Sequence, residues 1–285
     1  MIRILLGAFL ISFSSVFVKL VHVGPTSALF YRFLFGALAL FFTAKIKGIP
    51  LFKGFRPFIF AMAAGAIFAL DLFFWHRSIH YIGPGLATIL ANLQIFILAA
   101  AGVLFMKERL SVLFIISSVI AFIGLVILIG PDIRSAGPLF KRGILFGLIT
   151  SCCYSGLTLT IQKSRKLPVT LPPVSNMAWL CFFGMLTGTP GVLYCGESFI
   201  IPDLESLIFL AAYGVICSGV GWYLITKGLS QVPVSLAGLA LTLQPTFAFV
   251  WDILFFSRPV TVLNISGALI TIAAIYTGSI SRHSR

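Results

Sequence analysis

Apolar stretches of roughly 20 residues follow one another along almost the whole chain, and nothing else in it restricts the fold so strongly. A helix rises 1.5 Å per residue, so a stretch of that length crosses a hydrocarbon layer of about 30 Å. Hydrophobic residues make up 59% of the 285 and charged residues only 9%, where a soluble domain carries about 25% charged residues. A soluble core of this size has no use for so much apolar surface. The bilayer is the natural solvent of the chain, and the expected class is an all-α integral membrane protein.

Marking the apolar runs and the polar or Pro/Gly breaks between them gives ten transmembrane helices, near residues 4–22, 26–44, 57–80, 84–106 and 112–130, then 142–162, 174–195, 205–227, 235–256 and 260–280. The first run continues to about Leu20 with no small-residue cleavage site before a polar region, so it reads as a span and not as a removable signal peptide. The net charge of +13 sits in the short loops. With the N-terminus inside, thirteen of the twenty basic residues are cytoplasmic: Arg3, Lys45, Lys47, Lys53, Arg56, Lys107, Arg109, Lys163, Arg165, Lys166, Lys227, Arg282 and Arg285. Six lie at the outer ends, where the loop with Arg134, Lys141 and Arg142 dissents, and Arg32 lies within a span. The positive-inside rule then places both termini in the cytoplasm. The same distribution speaks for the lipid bilayer as partner and against nucleic acid, which asks for a clustered basic footprint. Cys152, Cys153, Cys181, Cys195 and Cys217 form no C-x-x-C pair and join no His at ligand spacing, so they read as small hydrophobes.

The chain repeats itself. Residues 71–130 align without a gap on residues 221–280 at an offset of 150, with Leu86, Ala87, Leu93, Gln94, Leu104 and Phe105 matching Leu236, Ala237, Leu243, Gln244, Leu254 and Phe255. Glutamine is expensive in lipid, so the shared Leu-Gln pair weighs more than the common Leu and Ala. Gly7 and Ser15 match Gly147 and Ser155 at an offset of 140. Five spans are an odd number, so the second copy enters the membrane upside down. The expected domains are two inverted five-helix repeats, 1–131 and 142–281, with a binding site between them near the midplane.

Polar residues within the spans point to that site, because a charge at the bilayer centre costs at least about 3 kcal/mol. Asp71 lies roughly 13 Å from the outer end of span three, and Arg32 roughly 9 Å deep in span two. They are placed to meet, either as a structural ion pair or in binding substrate or a proton. Gln94 and Gln244 fall near the midplane, Asn92 is off the helical face of Gln94, and Tyr154 and Ser14 reach the same depth. These residues line a cavity or, alternatively, hydrogen-bond helix to helix. Trp75 follows Asp71 by four residues and shares its face, which sets an anion beside an aromatic wall suited to an amino group or organic cation. Trp222 is a further candidate, while Trp179, Trp251 and Tyr194 serve equally as interfacial anchors. Lys19, Arg77, Lys227 and Asp252 lie near span ends, where they snorkel without a transport role. His76 and His80 fall near the outer surface. The sequence holds no H-E-x-x-H, G-x-S-x-G, Walker or Rossmann motif, so no catalytic residue, metal or cofactor is expected and ATP does not drive the chain directly.

The run YRFLFGALAL around Arg32, the run GLATILANLQIFILAAAGVLFMKERLS and its counterpart SLAGLALTLQPTFAFVWDILFFSRPVT resemble EamA-type members of the drug/metabolite transporter superfamily, over nearly the whole chain. Family members usually carry Pro in the middle of span four and Glu after span nine. Here Pro245 faces Ile95 at the matching place, and Glu108 faces Arg258. The resemblance implies a secondary transporter that moves small metabolites, amino acids, nucleotide-type molecules or organic cations across the bacterial inner membrane by alternating access, in the direction of export, as a monomer or homodimer. A membrane-embedded lipid-modifying enzyme and a non-transporting assembly protein are the alternatives. The second of these predicts that Gln94 and Gln244 tolerate bulky apolar replacement.

Overall fold

The computed structural model describes residues 2–106, 111–135, 137–229, 241, 243–257 and 259–281; these are helices joined by short turns, with no strand among them. In chain order the helices are α1 (Ile2–Ser12), α2 (Ser14–Leu20), α3 (Pro25–Ile46), α4 (Phe55–Ile82), α5 (Pro84–Ala91), α6 (Gln94–Met106), α7 (Val112–Ser135), α8 (Pro138–Arg165), α9 (Pro173–Tyr194) and α10 (Leu204–Ala212). A π-helical segment, Tyr213–Gly221, leads into α11 (Trp222–Leu229), and α12 (Leu243–Phe256) and α13 (Val262–Ser281) follow. Six helical stretches among the described residues are long and apolar enough to cross a membrane: Ile2–Leu20, Pro25–Ile46, Phe55–Ile82, Pro138–Arg165, Pro173–Tyr194 and Leu204–Gly228. Pro84–Leu98, Val112–Gly124 and Val262–Ala274 are shorter apolar helices. Glu108, Arg258 and the Leu236 and Ala237 matches of the repeat lie outside the described residues.

Expected spans and observed helices differ in two ways. Helices α4 and α8 have 28 residues each and overrun their apolar stretches, so Lys141 and Arg142 stand in the opening turns of α8 rather than in a loop. The first and fourth spans are broken. The first is interrupted at Phe13, and the fourth at Asn92 and Leu93, where the amides bond three residues back, Leu93 to Leu90 and Ile95 to Asn92. The Asn92 side chain donates to the Thr88 carbonyl at 3.0 Å, which ends α5 without a proline. Irregular backbone at membrane depth is tolerated where it lines a cavity, and both breaks do so.

The bundle is apolar outside and polar within. Phe42, Leu104 and Leu254 face outward, whereas Arg32, Asp71, His76, Asn92, Gln94 and Gln244 are buried. Helix α3 packs on α9, α4 on α8 and α9, α5 on α12, α1 on α11 and on the π segment, and α7 on α13. Lipid gives helices no hydrophobic reason to associate, so small residues that bring backbones into contact carry the packing. A Cβ on Gly65 of α4 would stand 2.5 Å from the Leu180 carbonyl oxygen and 2.9 Å from the Gly184 nitrogen of α9. A Cβ on Gly214 of the π segment would stand 2.8 Å from both the Arg32 carbonyl oxygen and the Gly36 nitrogen of α3.

Candidate functional site

The broken helices and their neighbours enclose a central cavity. Its gap between wall atoms is about 460 Å³, of which water centres reach about 40 Å³. A water needs roughly 10–15 Å³ on the latter measure, so this conformation has room for a few waters and less than a metabolite needs. Ser12 and Ser14 at the first break, Arg32 of α3, Phe68, Asp71 and Trp75 of α4 and Asn92 at the second break reach it from the first half of the chain; Thr150 and Tyr154 of α8, Trp222 of α11 and Gln244 of α12 reach it from the second. Gln94 is buried beside it but is not part of its lining.

Carboxyl and rings are arranged unequally. The Asp71 carboxyl is buried, and its Oδ1 has no hydrogen-bond partner among the described residues. Around it Trp222 meets Phe68 edge to face at 5.1 Å and Tyr154 at 5.8 Å. The Tyr154 hydroxyl accepts from Gln244 Nε2 at 3.4 Å, and the hydroxyl of the following residue, Ser155, donates to the backbone carbonyl of Gln94 at 3.3 Å.

Arg32 shares the cavity with Asp71 without pairing with it. No carboxylate among the described residues lies within ion-pair distance of its guanidinium. Nε donates to Ser218 Oγ at 2.9 Å and Nη1 to the Tyr213 hydroxyl at 2.7 Å, and Cζ lies 4.5 Å from the Tyr213 ring centre and 5.1 Å from that of Phe68. The π segment supplies both polar partners, and the two rings add cation–π attraction. Tyr213 also bonds His76 Nε2 at 2.8 Å, while His76 Nδ1 lies 2.8 Å from the Pro25 carbonyl oxygen. His76 is therefore fully buried, not at the surface as its distance from the span end suggests. His76, Tyr213 and Ser218 carry no local sequence signal of this association, which joins positions 137 residues apart.

One end of the bundle is tied by carboxylates at helix N-termini. Glu197 accepts from the Thr26 and Ser27 amides, each at 2.8 Å, and from the Thr26 hydroxyl at 2.8 Å. Free amides and the helix dipole make such an N-terminus a natural seat for a carboxylate. Arg77 does not snorkel: its guanidinium stacks 3.7 Å from the Phe73 ring centre and bonds Thr26 Oγ1 and Glu197, because an anion within reach outbids water. Asp252 likewise accepts from the Gly85 amide at the start of α5. Glu197→Ala is expected to destabilise the fold by about 2 kcal/mol, the worth of charge-assisted bonds lost from a half-buried site. Denaturant unfolding in micelles, with the exposed Glu205→Ala as reference, reads the difference.

At the same end the Asp203 carboxylate accepts from the Ser206 amide at 2.6 Å and pairs with His22 at 3.0 Å. The Ser206 amide, then His22, holds Asp203 below its ordinary 3.8, and the bond to Asp203 holds His22 above its ordinary 6.5. The His22 contribution is full below pH 6.5 and fades as pH rises through the raised value; that of Asp203 is full above pH 3.8 and fades as pH falls through the lowered value. The clasp therefore holds across the interval between them. Asp203→Asn is expected to return the His22 titration toward 6.5, followed by NMR of the imidazole; an unmoved titration would exclude Asp203 as the cause.

Comparison with known proteins adds three findings. The EamA-like transporter family matches residues 1–130 and 141–279. An uncharacterized transporter of Helicobacter pylori is 26% identical over 260 residues, 88% of this chain and 83% of its own, and one of Archaeoglobus fulgidus is 23% identical over 276 residues, 95% and 93%. A solved crystal structure superposes with a TM-score of 0.74 over 100% of this chain and 98% of its own, at 14% identity, a likeness of fold alone.

Proposed function

Because the chain belongs to the EamA-like transporter family and is thus a multi-pass membrane transporter in a lipid environment, we propose that its central cavity binds a small substrate carrying an amino group, an organic cation or an amino acid, and moves it by alternating access. Asp71 attracts the positive group, and Trp75, Trp222 and Tyr154 wall it. Asn92 and Gln244 bond its polar atoms, and Gln94 supports the Tyr154 side of the wall. The observation that carries this proposal is the buried Asp71 carboxyl, with one oxygen unpartnered among the described residues, facing a ring-lined cavity. An unsatisfied carboxyl at that depth is costly unless a ligand or proton completes it.

We further propose ten spans in two inverted repeats, 1–131 and 142–281. Packing supports this, since it keeps its pattern when the halves are exchanged: α4 lies on α8 as α11 and the π segment lie on α1, and α4 lies on α9 as the π segment lies on α3. The glycine contacts agree, with Gly65 on Leu180 and Gly184 answering to Gly214 on Arg32 and Gly36, at offsets of 148 and 149. Beyond the π segment the offset is 150, which fits one extra residue held in the wider turn of a π helix. The protein acts in the bacterial inner membrane as a monomer or homodimer, exports its substrate, keeps both termini in the cytoplasm and engages no nucleic acid.

Counterflow into proteoliposomes tests the proposal, with a pool of labelled amino acids, nucleosides, nucleotides and organic cations. Selective accumulation of an amine or cation class is the expected result. Accumulation of nucleotides would overturn the assigned class, and none by folded protein would overturn the cavity's role as a carrier site for any class in the pool.

A further inference from the structure

Resting on that reading, we infer that His76 is a positioning residue that takes up a proton during the transport cycle and thereby decides where the Arg32 side chain sits. The hydrogen-bond chain through His76 has one direction. The Pro25 carbonyl only accepts, so the imidazole hydrogen lies on Nδ1 and Nε2 of the neutral ring presents a lone pair. Tyr213 donates its hydroxyl hydrogen to that lone pair, and its oxygen accepts from Arg32 Nη1. Each group in the chain is satisfied in this arrangement and in no other.

A proton on Nε2 turns the acceptor into a second donor. His76 and Arg32 then both donate toward one phenolic oxygen whose own hydrogen has lost its acceptor, with two positive charges facing each other across it. The hydroxyl turns away and Arg32 leaves its seat. In the same cavity Asp71 offers a carboxylate with a free Oδ1, so the departing guanidinium pairs there and closes the site to a cationic substrate. Neutral His76 retains Arg32 on the π segment and leaves Asp71 open. The chain ends on Pro25, next to the Thr26 and Ser27 amides held by Glu197, so a change at Arg32 reaches the carboxylate clamp at that end of the bundle.

The charged and titratable groups around His76 are Arg32 of α3, Tyr213 of the π segment, and Arg77 and His80 of its own helix. Lys19 of α2 and Glu197 stand by His80, and Cys153 and Tyr154 of α8 stand by Asp71.

Tryptophan fluorescence reads the proton without any substrate, since the Trp75 ring lies 5.6 Å from His76 and a protonated imidazole quenches a neighbouring indole. Purified protein in lipid nanodiscs is expected to lose intensity along an acid titration. His76→Gln, whose amide can donate to Pro25 and accept from Tyr213, is expected to abolish that titration, and His80→Gln to retain it. A Gln variant that titrates like the wild type, or a wild type that does not titrate, overturns the inference. Should His76→Gln fail to fold, Tyr213→Phe removes the donor that favours neutral His76 and is expected to move the midpoint to higher pH; an unmoved midpoint is equally fatal. For whichever labelled class accumulates in counterflow, His76→Gln flattens the pH profile of uptake. If no class accumulates, the transporter proposal fails by itself while the fluorescence result still decides the role of His76.

Discussion

Asp71→Asn is expected to lower counterflow of a cationic or amino substrate by about 100-fold, since removing one partner of a desolvated charge pair costs about 3 kcal/mol and each 1.4 kcal/mol is tenfold. Asparagine keeps the size of the side chain, so the cavity among Phe68, Trp75 and Trp222 retains its walls and the loss falls on binding rather than on folding. Dependence on a pH gradient should vanish with it if the same carboxyl carries the coupling proton. Glu205→Gln, at an exposed position near the start of α10, is the reference for a change of one charge. Unchanged uptake and unchanged coupling in Asp71→Asn would remove this residue from the mechanism.

The second large effect concerns the helix crossings. Alanine at Gly65 or at Gly214 brings a Cβ within 2.8 Å or less of backbone atoms on the facing helix, where no side chain can rotate out of the way. Overpacking of this kind costs about 1–3 kcal/mol, and the rigidity of two crossed backbones puts both variants at the upper end. Equal losses of thermal stability are expected for the two, because each glycine meets the same set of groups on its facing helix, a carbonyl oxygen, a glycine nitrogen and a phenylalanine Cβ. Gly137→Ala, with no atom of the described residues within 4 Å of the added Cβ, is expected to melt like the wild type. A large loss at Gly65 with none at Gly214 would break the equivalence of the two crossings.

Much of the cavity could be read from residue chemistry alone. Asp71, Asn92, Tyr154 and Gln244 were conspicuous because a polar group at bilayer depth demands a partner or a cavity, and helical spacing attached Trp75 to Asp71. What could not be read was set by contacts between distant segments. Nothing in YGVICSGVG announces a π helix, so the seat that draws Arg32 away from Asp71 had no local trace. Distance from a span end assigned His76 and Arg77 to the surface, yet His76 is enclosed by α3 and the π segment, and Arg77 is turned inward by Glu197. The helix breaks had no punctuation either. Asn92 ends α5 through its own side chain, while Pro190 lies inside α9 without ending it.

A carrier with two matched inverted halves changes conformation by exchanging their contacts, so a perfectly symmetric chain would rest open to either side with equal free energy. In the proposed two-repeat carrier, the π segment Tyr213–Gly221 removes that degeneracy. Arg32 finds its phenol and hydroxyl there, while the position that answers to it in the proposed second repeat is Leu180, which needs no such seat. Every 1.4 kcal/mol by which this one-sided seat favours the present arrangement multiplies its share of the resting population tenfold. A carrier of the proposed kind would rest in the arrangement seen here, with Glu197 bound to the Thr26 and Ser27 amides, and its first step in each cycle would be to lose an advantage that its mirror-related state never had.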